Sequence, residues 1–234
     1  MSMSFEEIST EKEGEIKRIP KTIDIFNVPE MAPSYKVTYF NITALGEPIR
    51  FLLSYGGIEF EDCRVEMEQW PQIKPNMPFG QLPILEHNGK KIPQSLAICR
   101  YLAKQVKLAG NDDWENLEID SIVETINDLR QCIGKYHYES DEKVKERERA
   151  ILFNEKMPFL LDRLENVAKD NNGHFALGRL TWADLYFVSL LEYINFMLKK
   201  DLIENRPNLI AVKNNVLNVP AIKEWIEKRP KTNM

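Results

Sequence analysis

YKVTYFNITALGEPIRFLLSYG (residues 35–56) and, further on, PFGQLPILEHNGKKIPQSLAICRYLAKQV (residues 78–106) decide the fold. YKVTYF is rich in β-branched and aromatic residues and reads as a strand. EPIRFLLSYG reads as a helix, with Pro48 in its first turn, where a missing N–H costs nothing. EDCRV (residues 61–65) is a second strand. PILE and KKI pair as a hairpin turned at Asn88–Gly89, a dipeptide that accepts the positive φ of a tight turn. SLAICRYLAKQV closes the unit as a helix, with Leu96, Ile98, Cys99, Leu102 and Ala103 at apolar positions. WPQIK (residues 70–74) supplies a helical turn before the hairpin.

The resulting order, β-α-β-α-β-β-α, is the thioredoxin-like pattern, here spanning residues 35–107. LAGNDDWENL (residues 108–117) carries the linker, broken at Gly110 and Asn111. Residues 112–234 predict an all-α domain. Ile119, Ile122, Val123, Ile126 and Leu129 recur at helical spacing. A second long helix runs through DEKVKERERA into ILFNEKMPFLLDRLENV, with a kink expected at Pro158. Thr181–Trp182–Ala183–Asp184 is a capping box in its Asp form, and Leu180 can staple onto the following helix, LYFVSLLEYINFML. Short helices are expected over 207–217 and 220–228. Residues 1–34, charged and punctuated by Pro20, Pro29 and Pro33, predict a flexible extension.

Composition excludes several classes. The chain has 234 residues, 31 basic and 36 acidic, and its net charge of −5 leaves no electrostatic footprint for nucleic acid or an anionic membrane. No apolar run approaches the ~20 residues that span a bilayer. The start, MSMSFEEISTEKEGEIK, has no apolar core of a signal peptide and is too acidic for a transit peptide, so a cytoplasmic location is expected. Cys63, Cys99 and Cys132 are an odd set without a CxxC motif, which fits a reducing compartment. His87, His137 and His174 show no metal-ligand spacing, and no metal is expected.

Four short signals follow one another: Tyr39 at a strand end, Trp70 with Lys74, Pro83 after an apolar residue, and Gln94–Ser95 opening a helix. Together TYFN, FGQLPILE, QSLAICRYLA, LAGND and the run from LTWAD to WIEKRP resemble the sigma-class glutathione S-transferases, relatives of haematopoietic prostaglandin D synthase, from residue 35 to about residue 230. The resemblance implies glutathione as co-substrate and a homodimer acting on small hydrophobic electrophiles.

Each implied role has a chemistry and a plainer alternative. A phenol at Tyr39 can donate a hydrogen bond to the glutathione sulfur and favour the thiolate, which is the nucleophile. A lone tyrosine at a strand end more often just packs. Pro83 matches the family's cis proline, which leaves the backbone of Leu82 free to pair with glutathione as an added strand would; the alternative is an ordinary trans proline. Gln94 and Ser95 match the pair that grips the γ-glutamyl carboxylate at a helix N-terminus, although serine there also serves as an N-cap. Trp70 and Lys74 share a helical face and offer donors to the glycine carboxylate; alone they read as a packed indole and a solvated ammonium. Gln81 stands where many relatives carry Lys or Met, so only its backbone is carried over. Asp128 matches the aspartate that reaches the neighbouring subunit's glutathione; otherwise it is a surface carboxylate. Ile42, Leu45, Arg130, Tyr193 and Phe196 are the expected lining of the electrophile pocket.

Two departures shape the expected activity. The prostaglandin synthase pattern has an arginine where this chain has Leu45, and an acidic residue where it has Asn127 beside Glu124 and Asp128. TALGEPIR instead resembles the arthropod enzymes. The expectation is a transferase conjugating glutathione to lipid-derived enals or reducing organic hydroperoxides. The alternatives are a non-catalytic crystallin-like or ligand-carrier protein of the same fold, and a prostaglandin D isomerase.

Overall fold

A computed structural model describes residues 35–232 of the chain. The expectation for residues 1–34 lies outside the described residues. Strand β1 (Tyr35–Phe40) is followed by helix α1 (Glu47–Tyr55) and strand β2 (Phe60–Val65). One helical turn, α2 (Trp70–Ile73), precedes the hairpin β3 (Ile84–His87) and β4 (Lys90–Pro93), and helix α3 (Ser95–Gln105) follows. The four-stranded sheet has the order β2-β1-β3-β4. β1 runs parallel to β2, which requires a crossover that α1 provides, and antiparallel to β3. The period-2 alternation of β1 buries Tyr35, Val37 and Tyr39 on one face.

The rest is helical: α4 (Asp113–Tyr138), α5 (Glu142–Ile151), α6 (Met157–Asp170), α7 (Trp182–Leu198), α8 (Pro207–Leu217) and α9 (Pro220–Lys228). Asp112 caps α4 by accepting the Glu115 N–H at 2.8 Å. Pro207 and Pro220 open α8 and α9, where their fixed φ suits the first turn. The break expected at Pro158 takes a different form. A π-helical turn, Leu152–Lys156, joins α5 to α6 immediately ahead of it. Proline has no N–H for the i−4 carbonyl, and a wider turn reroutes the ladder around that gap.

Helix α7 is the spine. It packs against α1, α3, α4 and α8, and nearly every one of its residues is buried. The capping box at Thr181–Asp184 forms as expected. Its carboxylate does more than cap: it is fully buried and accepts the Phe175 N–H at 2.8 Å, the Thr181 N–H at 2.7 Å and the Thr181 hydroxyl at 3.1 Å. No described helix is long and apolar enough to cross a membrane.

Candidate active site

Strand β1 delivers Tyr39 to its own C-terminal end, next to the loop that leads into α1. The ring is buried and rests against Gly46; a Cβ there would come within 2.6 Å of Tyr39 Cδ1. Glycine is required at 46 by this close approach, not by its backbone angle. The Leu45 N–H donates to the phenol oxygen at 3.3 Å, which leaves the phenolic hydrogen available to another acceptor. Burial pushes the Tyr39 phenol up to about 12, against the Leu45 N–H and the Arg50 and Arg130 guanidiniums, which pull it down. The group is therefore a neutral hydrogen-bond donor across the physiological range.

Two patches flank Tyr39. On the sheet side, Phe40 meets Trp70 edge-on, with ring centroids 5.4 Å apart. Lys74 continues that helical turn, its N–H bonded to the Trp70 carbonyl. Leu82 lies outside the sheet pairing, which begins at Ile84, and the Leu82–Pro83 bond is cis. The Gln94 amide donates to Gln81 Oε1 at 3.2 Å. Gln94 holds φ 79° and ψ 97°, in the left-handed half of the map that a side chain rarely adopts. Strain of that kind persists at sites where the surrounding structure imposes it. Ser95 occupies the first helical position of α3 and not its N-cap, which is Gln94, and no side-chain cap bond forms. The plainer reading of Ser95 as an N-cap therefore falls. The Trp70 indole N–H, the Lys74 ammonium and the Ser95 hydroxyl make no hydrogen bond or ion pair with another described residue.

On the helical side, Arg130 of α4 and Tyr193 of α7 lie within electrostatic reach of Tyr39. Asn127 Oδ1 accepts both Nε and Nη2 of Arg130, at 3.1 and 3.0 Å, and the Tyr186 hydroxyl at 3.5 Å. The Tyr193 hydroxyl meets that of Tyr138 at 2.9 Å. Ile42 and Leu45 pack against the core from the loop after β1. Phe196 is 42% exposed and faces the His137 ring at 5.9 Å, further along α7. Sequence reasoning missed Tyr138, Asn127 as the partner of Arg130, and the Leu45 amide. Tyr138 stands eight residues beyond Arg130 on one helix, a spacing that places both on one face and was the available signal.

Asp128 does not join this group. Its carboxylate is exposed, has no hydrogen-bond partner among the described residues, and lines a groove of about 460 Å³ with Cys132, Lys156, Phe159 and Leu160. Glu124 faces Arg100 at 3.5 Å. Among the described residues, no group of three or more His, Cys, Asp or Glu side chains could hold a metal ion.

The glutathione S-transferase N-terminal domain family matches residues 35–104, and the C-terminal domain family matches residues 127–229. A glutathione S-transferase of Anopheles gambiae is 54% identical over 202 residues, covering 86% of this chain and all of that one. Glutathione S-transferase S1 of Drosophila melanogaster is 49% identical, over 86% of this chain and 81% of its own length. Among solved structures, prostaglandin synthase D of Nilaparvata lugens superposes with a TM-score of 0.81 at 47% identity, over 86% of this chain and all of the other.

Proposed function

Because the chain belongs to the glutathione S-transferase family, in its sigma-like branch, we propose that it conjugates the glutathione thiolate to small hydrophobic electrophiles, lipid-derived enals first, as a homodimer. The observation that carries this reading is the Tyr39 phenol, buried, neutral and already accepting the Leu45 N–H. Its free hydrogen is directed to the glutathione sulfur. Because the oxygen accepts a bond, the O–H is polarised and donates more strongly. The thiol loses its proton to solvent, and the thiolate attacks the electrophile. Trp70 and Lys74 bind the glycine carboxylate, the Leu82 backbone pairs with the cysteinyl unit, and Gln81, Gln94 and Ser95 take the γ-glutamyl end. The uncommitted donors of Trp70, Lys74 and Ser95 support this, since free donors are what a polar ligand's site needs. They also count against a crystallin-like or purely carrier role.

The electrophile lies between Tyr39 and the helices. Leu45 and Ile42 supply apolar contact from the loop, and Phe196 does so from α7. Arg130, Tyr138 and Tyr193 are the donors on that wall, suited to a carbonyl or hydroperoxide oxygen that gains negative charge as the thiolate adds. Turnover with glutathione and a panel of alkenals, hydroperoxides and halo-aromatics tests the reading; no turnover on any of them would reject it.

Asp128 is assigned to the glutathione ammonium of a second subunit. Its exposed carboxylate, without a partner among the described residues, supports this. Asp128→Ala should raise the Michaelis constant for glutathione about tenfold, the loss of one charge-assisted hydrogen bond worth ~1.5 kcal/mol, while sedimentation still reports a dimer. Unchanged glutathione affinity by calorimetry would withdraw the assignment, and a monomeric wild type would withdraw the cross-subunit site.

A second reading, prostaglandin D isomerisation, draws on the likeness to the Nilaparvata lugens enzyme. Leu45 opposes it, because an apolar side chain beside Tyr39 cannot stabilise a carboxylate-bearing substrate or a thiolate. Leu45→Arg should gain activity on prostaglandin H and gain none on a lipid alkenal. Efficient prostaglandin D formation by the wild type would overturn this ranking, and magnesium activation would show that Asn127 does not weaken a metal site.

A further inference from the structure

Beneath the loop that follows Tyr39 runs a chain of ions, fully buried at Glu47 and Arg50, that the chemistry above does not use. Glu47, the first residue of α1, is fully buried. Its carboxylate accepts Arg50 Nη1 at 3.1 Å, Trp225 Nε1 at 2.8 Å and Arg229 Nη1 at 2.7 Å. Arg50, equally buried, also donates to Asp62 at 2.8 Å and to the Ile42 carbonyl at 2.9 Å. Asp62 goes on to Arg64, and Arg229 goes on to Glu192. Three carboxylates thus face three guanidiniums, with the C-terminal helix closing the cluster from the far end of the chain.

Arg50 bears on the site in two ways. Its bond to Ile42 pins the loop whose Leu45 N–H lies on the Tyr39 phenol, and its guanidinium carbon is 6.0 Å from the centre of the Tyr39 ring. Stability alone is a weak reason for such a cluster, since apolar replacements of buried ion pairs are often no less stable. The cluster is also imperfect as a structural device. Arg50 Nη2 and the buried Thr43 hydroxyl have no hydrogen-bond partner among the described residues.

We propose that Trp225 and Arg229 are positioning residues for thiolate formation: by fixing and neutralising Glu47 they hold Arg50, Ile42 and Leu45 so that the Tyr39 hydroxyl stays aimed at the sulfur. The inference rests on the reading of Tyr39 as the thiol's hydrogen-bond donor. Its sign follows from the charges facing the site. Arg50 and Arg130 favour an anion there, and the paired hydroxyls of Tyr138 and Tyr193 bring no positive charge to add to them. Glu47, Asp62 and Glu192 oppose an anion and are balanced by Arg50, Arg64 and Arg229. Removing the charge of Arg229 leaves one carboxylate in excess and draws Arg50 toward Glu47, away from Ile42. The thiolate then becomes harder to form.

The test titrates the ultraviolet thiolate absorbance of bound glutathione in the full-length protein, for wild type, Tyr39→Phe, Trp225→Phe, Arg229→Gln and Arg229→Lys, with folding checked by circular dichroism. Trp225→Phe keeps an aromatic ring for the Phe60 contact, where centroids lie 5.4 Å apart, and removes only the N–H donor. Trp225→Phe and Arg229→Gln should raise the thiol pKa by about one unit, a roughly tenfold loss of thiolate at neutral pH, and lower kcat in proportion with little change in the Michaelis constant for glutathione. Arg229→Lys should recover most of the loss. Folded Trp225→Phe and Arg229→Gln proteins with a wild-type titration overturn the inference. So does a lysine variant no better than glutamine, or failure of both Trp225→Phe and Arg229→Gln to fold, which would make α9 purely structural. If Tyr39→Phe itself titrates like wild type, it is the Tyr39 reading that fails; if only the α9 variants do, that reading stands and this one does not.

Discussion

Tyr39→Phe should lower kcat by roughly 10²–10³, about 2.7–4 kcal/mol of transition-state stabilisation, while glutathione still binds with nearly wild-type affinity. The substitution keeps the ring against Gly46 and the core, and removes only the hydroxyl that Leu45 orients. On the proposed reading the loss falls on kcat because the donor acts on charge that develops on sulfur, whereas binding is assigned to Trp70, Lys74, Leu82, Gln94 and Ser95. The wild-type rate should rise with pH as the bound thiol ionises, with no inflection from the phenol in the working range, since burial holds it at about 12. The assay must use an electrophile for which chemistry limits turnover. A phenylalanine variant with near-wild-type kcat on such a substrate would falsify the assignment.

The parts legible in the sequence are those whose signals are local. The hairpin turn at Asn88–Gly89 is visible because both residues take positive φ, 50° and 73°, which Asn and Gly tolerate. Helices α8 and α9 are visible because a proline opens each. Tyr39, Gln94 and Ser95 are visible because they sit at element ends in a recognisable order. What escaped depends on distance or on backbone. The Leu45 N–H is a main-chain group with no residue signature, so position 45 reads only as a missing cation. The bonds from Glu47 to Trp225 and Arg229 join residues 178 and 182 positions apart, and nothing in either segment announces the other. Pro158 announces a break, but whether the helix kinks or widens depends on what packs around it.

Asp184→Ala should be the most destabilising single change outside the site, by about 3–5 kcal/mol, well beyond the ~1–2 kcal/mol of an ordinary N-cap. An ordinary cap accepts one exposed N–H. Asp184 is fully buried and serves two backbone N–H groups and a hydroxyl, from Phe175 and Thr181. Truncation strands both amides away from water, each at about 1–3 kcal/mol. It also leaves His174, whose Nδ1 is 3.8 Å from the carboxylate and has no hydrogen bond among the described residues, beside an empty site. The helix that follows is the spine on which α1, α3, α4 and α8 pack, so the damage is global and not confined to one turn. At roughly 2–4 °C per kcal/mol for a chain of this size, the melting temperature should fall by on the order of 10 °C. Thr181→Ala, which removes one hydroxyl and leaves both amides paired, should cost only about 1 kcal/mol. Activity per folded molecule should survive both changes, because neither side chain is bonded to Tyr39 or to its loop. An Asp184→Ala protein that melts with wild type, or no earlier than Thr181→Ala, would show that the two amides find other partners and that the carboxylate is only a cap.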